Sequence, residues 1–294
     1  MIAFKRIENE YTDMRLAEAG WDVVMYHDIS FDMSGRPRHA TVDIANDNLW
    51  YFRAVGRAYR TVDRLVAWGR EHGKIIMDNY LLTDGPGARS KHMHYTKLLD
   101  AVNQPQTTIY PSLNTALASL SSYPVILKFN RNGRKGMGTF LLREEDIEHQ
   151  IRGTLENRKE NGEGFTGVDT EWLVQEYIPN NGDYRAMVID GRCIGMYKRR
   201  PKKNKLVCSS SNGKSKRFKS GRFPSDVARM AEQAAMTLGI SVCGVDLVRH
   251  SDTRQVYVIE ANEAPAFQVF ERVTRISVAD AIAEAMRNKE EEHV

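Results

Sequence analysis

GVDLVRHSDTRQVYVIEANEAP, residues 244–265, is the segment that decides the fold. Its two apolar stretches, 244–249 and 256–262, are rich in β-branched residues, which is typical of strands. Between them, Ser251-Asp252-Thr253 supplies turn residues. The segment therefore predicts an antiparallel β-hairpin.

Three polar side chains interrupt this hairpin and predict a metal site. Glu260 and Asn262 are two residues apart on one strand, so they share a face, and the hairpin brings Asp246 across from the partner strand. Two carboxylates and an amide oxygen are hard ligands that suit Mg²⁺ held together with the phosphates of a nucleotide. The alternative is a surface hairpin whose polar side chains face water.

The composition predicts a soluble protein. The chain is 41% hydrophobic and 27% charged, as in soluble globular proteins. Its 294 residues are enough to form two or three subdomains. Apolar runs such as 124–127 are too short to span a bilayer, and the N-terminus lacks the long apolar core of a signal peptide. We expect a cytoplasmic location and no membrane partner. Three cysteines without a C-x-x-C pair argue against a disulfide framework and a zinc site.

One strongly basic segment stands out from an otherwise mildly acidic chain. Residues 198–222 contain eleven Lys or Arg and no Asp or Glu, whereas the rest of the chain holds 31 basic and 38 acidic residues. This distribution indicates a local anionic partner, and the alternative is a solvated basic loop.

Strands and helices are expected to alternate through the first 88 residues. Apolar runs at 21–26, 49–53 and 74–78 predict strands, and the spacing of apolar residues over 57–72 predicts a helix. This order favours a small α/β layer with parallel strands. The Gly- and Pro-rich segment 83–87 marks its end.

Strands and helices continue after this boundary, so the fold class is α/β (α+β). Asp190-Gly191 is a strong signal for a two-residue hairpin turn. The predicted strands are 107–110, 125–129, 136–142, 171–178, 184–190 and 192–198, and the predicted helices are 116–120, 144–158, 225–238 and 277–288.

An ordered set of features along the chain resembles the ATP-grasp ligases. The set consists of a strand lysine (Lys128), a glycine hairpin (133–138), a strand ending in QEYI (175–178), an Asp-x-Arg (183–185), and the late Asp…Glu-x-Asn. The resemblance covers residues 89–286 and is strongest to the RimK-like branch of glutamate and peptide ligases. It rests on order and spacing over many elements.

This resemblance implies a domain organisation. Residues 1–88 would form a small α/β domain of the kind that precedes the ATP-grasp domain, and residues 89–294 the ATP-grasp domain itself. Within the latter, 89–175 would be the central or lid subdomain and 176–294 the C-terminal metal-binding subdomain. The two would clasp the nucleotide between them.

The resemblance also implies roles for individual residues. Lys91 is preceded by Ser90, where the family has an aspartate, and Arg200 leaves open which of two arginines faces the reacting centre. Asp183 and Arg185 alone would also fit a surface salt bridge. The implied catalytic residues are Arg185, Arg199 and Lys128; the nucleotide-binding residues are Lys91, Lys128, Gly136, Met137, Gly138, Gln175, Glu176, Tyr177, Ile178 and Asp183; the metal ligands are Asp246, Glu260 and Asn262.

The implied activity is that of an ATP-dependent carboxylate-amine ligase. A substrate carboxylate would take the γ-phosphoryl group, and an amine would displace phosphate from the acyl phosphate, leaving ADP. ATP and Mg²⁺ are the expected cofactors, with two ions bound and Mn²⁺ as an alternative. The basic segment would attract an anionic acceptor such as an acidic peptide or protein tail. A homodimer is expected only because soluble enzymes commonly pair.

Two rival hypotheses remain at this point. One is a nucleic-acid or polyanion-binding protein, centred on the basic segment, with a regulatory or vestigial nucleotide site. The other is an ATP-grasp member with kinase-like or thioester-forming chemistry. The sequence alone does not name the carboxylate or the amine.

Overall fold

The computed structural model of the protein describes residues 1–6, 9–85, 90–130, 139–143, 151, 171–201, 213–218 and 222–293. The predicted helix 144–158 lies outside these ranges, except for residue 151. The predicted glycine-hairpin residues Gly136, Met137 and Gly138 also lie outside them.

A parallel sheet forms the N-terminal layer, as the sequence predicts. Its strands are β1 (Ile2–Lys5), β2 (Asp22–Met25), β5 (Leu49–Phe52) and β6 (Ile75–Ile76), in the order β2-β1-β5-β6. All three strand pairings are parallel. Helices α1 (Glu10–Glu18) and α2 (Tyr59–Glu71) belong to this layer, and β3 (Ser30–Phe31) pairs with β4 (Pro37–Arg38) beside it.

The sequence analysis missed four strands, namely β3, β4, the later strand at Gly213–Arg217, and β1, which lies inside the parallel sheet between β2 and β5. All four residues of β1 are buried, so it shows no polar alternation, and it has only four residues. A fully buried strand of this length carries little periodic signal.

The central sheet is antiparallel and has its own core. Its order is β7-β10-β8-β9, and α5 contributes Leu113 to the core beside Leu127, Phe129 and Trp172. The elements of this part are α3 (Asn79–Thr83), α4 (Lys91–Leu98), β7 (Thr107–Tyr110), α5 (Leu113–Ala118), β8 (Val125–Phe129), β9 (Thr139–Leu142) and β10 (Trp172–Glu176).

The C-terminal sheet is also antiparallel, in the order β13-β12-β11-β14-β15. Its predicted Asp190-Gly191 turn is confirmed, because both residues have positive φ, 45° and 76°, which suits a two-residue hairpin turn. The elements are β11 (Asn180–Ile189), β12 (Arg192–Pro201), β13 (Gly213–Arg217), α6 (Ser225–Leu238), β14 (Val242–His250), β15 (Val256–Asn262), α7 (Phe267–Thr274) and α8 (Val278–His293).

The N-terminal and C-terminal sheets share their hydrophobic cores. One cluster joins Phe4 and Trp50 of the parallel sheet to Val245 of β14 and to helix α6. A second cluster joins Tyr51 to Met187 of β11 and to helices α7 and α8. The two ends of the chain therefore share their hydrophobic cores, whereas the central sheet has a core of its own.

Buried Glu271 of α7 strengthens this connection. Its carboxylate accepts hydrogen bonds from the Tyr11 hydroxyl (2.7 Å) and Arg15 Nε (3.0 Å) of α1, and from the backbone N–H of Val278 at the start of α8 (2.7 Å). None of the helices described is long and apolar enough to cross a membrane.

Candidate active site

One face of the C-terminal sheet carries the predicted metal ligands and arginines. Asp246 stands opposite Glu260 across the β14–β15 pair, and opposite Arg185 across the β11–β14 pair. Asn262 is opposite Gly244, two residues along, and therefore shares the face with Glu260. The hairpin predicted from residues 244–265 is thus confirmed.

Arginines surround Asp246 and Asp183 in a compact ion-pair network. Arg199 donates from Nε and Nη2 to the two carboxylate oxygens of Asp183, at 2.7 and 2.6 Å, and its Nη2 lies 2.9 Å from Asp246 Oδ1. Arg185 Nη1 lies 2.8 Å from the same oxygen of Asp246. Arg199 is buried whereas Arg200 is exposed, so the structure brings Arg199 to this face.

Burial and the guanidinium groups act in opposite directions on these carboxylates. Burial would raise the pKa of Asp246, but Arg185 and Arg199 outweigh it and hold that pKa below its ordinary value. Burial raises the pKa of Asp183 to about 6 against the opposing pull of Arg199. Both groups are therefore mostly ionised at neutral pH, and the arginines keep two carboxylates charged in a confined space.

Lys128 points from β8 toward the strand that carries Glu260. Its Nζ donates to the Tyr95 hydroxyl (2.6 Å) and to Gln175 Oε1 (2.9 Å), and it lies 3.5 Å from the carbonyl of Ile259. Only 4% of Lys128 is exposed. Burial lowers its pKa to about 7, and the charge of Glu260 partly opposes this shift.

Lys91 reaches strand β15 from helix α4. Its Nζ lies 3.3 Å from Glu260 Oε1. Ser90 caps the helix by accepting a hydrogen bond from the Met93 N–H, a role for which serine serves as well as the family's aspartate. Buried Asn130, two residues after Lys128, accepts from the backbone N–H groups of Lys91 (3.3 Å) and His92 (2.9 Å). These bonds fix the first turn of α4 against the end of β8.

The predicted nucleotide-binding residues 175–178 lie at the end of β10 and just after it. The Glu176 N–H donates to the Gln106 carbonyl (2.8 Å), and the Glu176 side chain accepts from the Gln106 N–H (3.2 Å). Ile178 is buried, and its carbonyl accepts from Asn180 Nδ2. The Gln175 side chain is buried and holds Lys128, and its Nε2 donates to Thr107 Oγ1 (2.9 Å); its nucleotide-binding role stays a prediction.

The residues of the hairpin fit a divalent cation. The described ranges contain no group of three His, Cys, Asp or Glu arranged to hold a metal, so the third protein ligand would be the amide of Asn262. Its Oδ1 accepts from the Ala264 N–H (2.9 Å), which fixes the amide orientation. Asp246 and Glu260 face each other directly. Asp246 forms ion pairs with two arginines, and Glu260 forms one with Lys91. Oxygen donors of this kind suit Mg²⁺, with water and substrate phosphates filling the other positions.

Tyr95 is the site residue that the sequence analysis missed. Its hydroxyl donates to the carbonyl of Ile259 (2.7 Å), accepts from Lys128, and is contacted by Gln175 Nε2. It thereby joins helix α4, the central sheet and strand β15. The available signal was its position four residues after Lys91, which places both on one helix face.

Tyr95→Phe is expected to destabilise the fold by about 1 to 3 kcal/mol, because Lys128 loses an acceptor and the Ile259 carbonyl loses a donor. Urea unfolding measures this change. The control is Tyr257→Phe, whose hydroxyl bonds Gln255 at an exposed turn and whose loss is expected to cost less than about 0.5 kcal/mol. Equal costs for the two variants would contradict the bridging role.

Comparison with known proteins places this arrangement in a family. The model of the RimK-like ATP-grasp domain matches residues 90–286. A protein of Pseudoalteromonas atlantica named "Probable alpha-L-glutamate ligase 1" is 28% identical over 180 residues, which are 60% of this chain and 55% of that protein. The chain thus spans about half the length of the first such relatives. Another of the same name, from Shewanella denitrificans, is 26% identical, with 93% of this chain and 92% of that protein covered.

Solved structures show the same fold. The ATP-grasp ligase PsnB, complexed with a minimal precursor, superposes with a TM-score of 0.68 at 15% identity and covers 98% of both chains. The same ligase with its minimal precursor, Mg and ADP gives a TM-score of 0.65 at 16% identity, with 98% of this chain and 96% of that chain covered. At these identities the similarity establishes the fold alone.

Proposed function

The chain belongs to the RimK-like ATP-grasp family, and from this membership we propose that it is an ATP-dependent carboxylate-amine ligase. It would activate a carboxylate by transfer of the γ-phosphoryl group of ATP, and an amine would then displace phosphate to form an amide. The products would be the amide, ADP and phosphate.

The observation that carries this proposal is the charge arrangement around β14 and β15. Asp246 and Glu260 face each other directly, and Arg185, Arg199 and Lys91 approach them within 4 Å. Phosphoryl transfer is catalysed mainly by positioning and by stabilising charge on phosphate oxygens. Alternating acidic and basic groups supply both metal ligands and cations for such oxygens.

The proposed roles follow from these positions. Asp246, Glu260 and Asn262 would hold Mg²⁺, which when bound neutralises charge on the phosphates. Arg185 and Arg199 would release Asp246 in part and turn toward the transferred phosphoryl group, for which a planar guanidinium is well suited. Lys91 would exchange its contact with Glu260 for a phosphate oxygen.

Lys128 and the end of β10 would bind the rest of the nucleotide. Lys128 is a buried cation with two neutral hydrogen-bond partners, so a phosphate oxygen would supply the missing negative charge. The backbone of residues 176–178 would bind the adenine edge. No protein nucleophile takes part, because the substrate carboxylate itself attacks the phosphorus.

The substrate classes are proposed from relatives. Curated relatives are named as alpha-L-glutamate ligases, and the PsnB structures hold a precursor. We therefore propose L-glutamate as the incoming amine and a peptide or protein carboxylate as the acceptor. The basic segment 198–222 would attract an acidic acceptor. Lys198 belongs to the described part of this segment, and its Nζ lies 5.1 Å from the centre of the Tyr184 ring.

Nucleotide turnover tests the proposal. Purified protein is incubated with Mg²⁺-ATP, L-glutamate and fractions of a lysate separated by size, and the products are scored for ADP against AMP. The expected result is ADP that depends on one fraction and disappears in Glu260→Ala. AMP would replace the phosphoryl-transfer proposal with adenylation. Absence of turnover and of ATP binding, together with salt-sensitive binding to nucleic acid, would favour a binding protein.

A further inference from the structure

Arg53 carries a buried guanidinium that forms no ion pair within 4 Å with a described residue. Only 7% of Arg53 is exposed. Two other buried cations among the described residues do have a carboxylate within 4 Å. Lys5 is paired with Asp13, and Arg199 is paired with Asp183. Within the described part of the chain, Arg53 has no carboxylate at ion-pair distance, and its Nη1 has no hydrogen-bond partner of good geometry. Buried charges are costly unless they are paired, so this position calls for an anion.

Lys128 offers a useful parallel inside the same protein. It also is buried without a carboxylate partner, and the proposed function gives it a phosphate of ATP. Arg53 is the second such cation among the described residues, and no phosphate has been assigned to it. Two buried basic side chains without a carboxylate partner indicate two places where an anionic ligand group could bind.

The Arg53 guanidinium is held in a fixed place. Its Nη2 donates to the carbonyl of Pro265 (3.1 Å), and its Cζ lies 4.7 Å from the centre of the Phe267 ring. The backbone is anchored as well, since Arg53 N donates to the Phe4 carbonyl (2.8 Å) and Arg53 O accepts from the Tyr26 hydroxyl (3.1 Å). A guanidinium fixed in this way, with Nη1 lacking a hydrogen-bond partner of good geometry, can bind an anionic ligand.

The sequence of β5 makes an arginine at this position unexpected for packing alone. Leu49 and Tyr51 point into the cluster that contains Phe267, and Arg53 continues their alternation one step beyond the strand. An apolar side chain at position 53 would fill the same space without the cost of burying a charge. The Tyr51 hydroxyl beside it is buried too and interacts with Arg53, but it offers no negative charge at neutral pH, because burial raises its pKa far above the ordinary value.

Arg53 also lies next to the reacting groups. Pro265, its hydrogen-bond acceptor, follows the metal ligand Asn262 by three residues. Pro265 and Arg185 both crowd the space over Gly244, where an added Cβ would come 2.9 Å from Pro265 Cβ and 2.8 Å from Arg185 Cζ. Arg53 stands at the carboxyl end of a parallel strand, the edge at which such sheets bind ligands.

We propose that Arg53 binds a free carboxylate of the incoming amino acid and thereby selects an anionic amine substrate. The inference rests on the proposed ligase function and deepens it. An amino acid that reacts through its amino group retains a free carboxylate, and a guanidinium can bind that carboxylate through two nitrogens. Binding there would place a negative charge at ion-pair distance from the Arg53 guanidinium and hold the amine near Arg185.

The test is calorimetric titration of L-glutamate into protein saturated with Mg²⁺ and the ATP analogue AMPPNP. Arg53→Met keeps an apolar chain over Phe267 and is expected to bind L-glutamate about 30-fold more weakly, with AMPPNP affinity changed less than about twofold. Arg53→Lys keeps the charge and is expected to lose about fivefold. The control is Arg64→Met, since the exposed Arg64 also stacks on a ring, that of Phe31, but far from Pro265.

Two amides identify the bound group. L-Glutamine and the α-amide of L-glutamate each lack one carboxylate, and the one lacking the contacted carboxylate is expected to bind wild type and Arg53→Met equally. The proposal is overturned if Arg53→Met binds L-glutamate within threefold of wild type, or if AMPPNP affinity falls by the same factor, which would make Arg53 a structural strut. If Arg53→Met does not fold, Arg53→Lys decides by the same criteria.

Failure of this inference differs from failure of the ligase proposal. Wild-type protein that binds AMPPNP and ignores L-glutamate would overturn the role of Arg53 and leave nucleotide chemistry intact. Wild-type protein that binds neither would overturn both.

Discussion

Glu260→Gln is expected to lower ADP formation by about 10³-fold, and Asp246→Asn by a similar factor. Each change removes one negative charge from the pair that would hold Mg²⁺, and the carboxamide is a weaker ligand of the same shape. The loss should appear in kcat at saturating ATP, because charge stabilisation is needed most in the transition state. Steady-state turnover with increasing Mg²⁺ measures it.

The matched control for this prediction lies on the same hairpin. Asp252→Asn removes a carboxylate from the exposed turn between β14 and β15, and its turnover is expected to stay within about twofold of wild type. Urea unfolding should show all three variants folded. Glu260→Gln that retains more than a third of wild-type turnover would show that Glu260 does not hold the metal.

Lys128→Met is expected to lower nucleotide turnover by about 10² to 10³-fold and to make the fold more stable at low pH. The loss of turnover follows from removing a cation aimed at a phosphate. The gain in stability follows from burial, which lowers the pKa of Lys128 to about 7 from the unfolded value of 10.5. The two effects have opposite signs, as expected where a site is built at the expense of stability.

The pH dependence of this stability effect has a definite direction. Between pH 7 and 10.5 the unfolded chain binds the lysine proton and the folded chain does not, so wild-type stability rises with pH in that window. The penalty for burying the charge is full below pH 7 and fades toward pH 10.5. Lys128→Met should therefore stabilise more at pH 6 than at pH 10, by roughly 4 kcal/mol.

Lys74→Met is the matched control for the lysine variant. Lys74 is partly buried in the N-terminal layer, donates to the Ala45 carbonyl, and lies away from the site. Its replacement is expected to leave turnover unchanged. A pH-independent stability difference for Lys128→Met would show that Lys128 keeps its proton at neutral pH.

Local patterns predicted the strands that carry the proposed metal ligands. The alternation of β14 and β15, the turn between them and the positive-φ pair Asp190-Gly191 are all properties of short stretches of chain. Helix α6 was predicted at its observed bounds because its apolar residues recur at helical spacing. Such features do not depend on distant contacts.

Distant contacts explain what the sequence did not show. Tyr95 bonds the carbonyl of a residue 164 positions away, and Arg53 bonds one 212 positions away. No local period reports such pairs. The ion pairs of Arg185 and Arg199 with Asp246 likewise depend on the order of strands in the sheet, which places β11 beside β14.

Trapping with hydroxylamine tests the central claim most directly. The protein is incubated with Mg²⁺-ATP, the acceptor fraction and hydroxylamine in place of the amine. An acyl phosphate predicts a hydroxamate of the acceptor and an equal amount of ADP, both lost in Glu260→Gln. A hydroxamate accompanied by AMP, or ADP formed without any hydroxamate, would contradict phosphoryl transfer to a carboxylate.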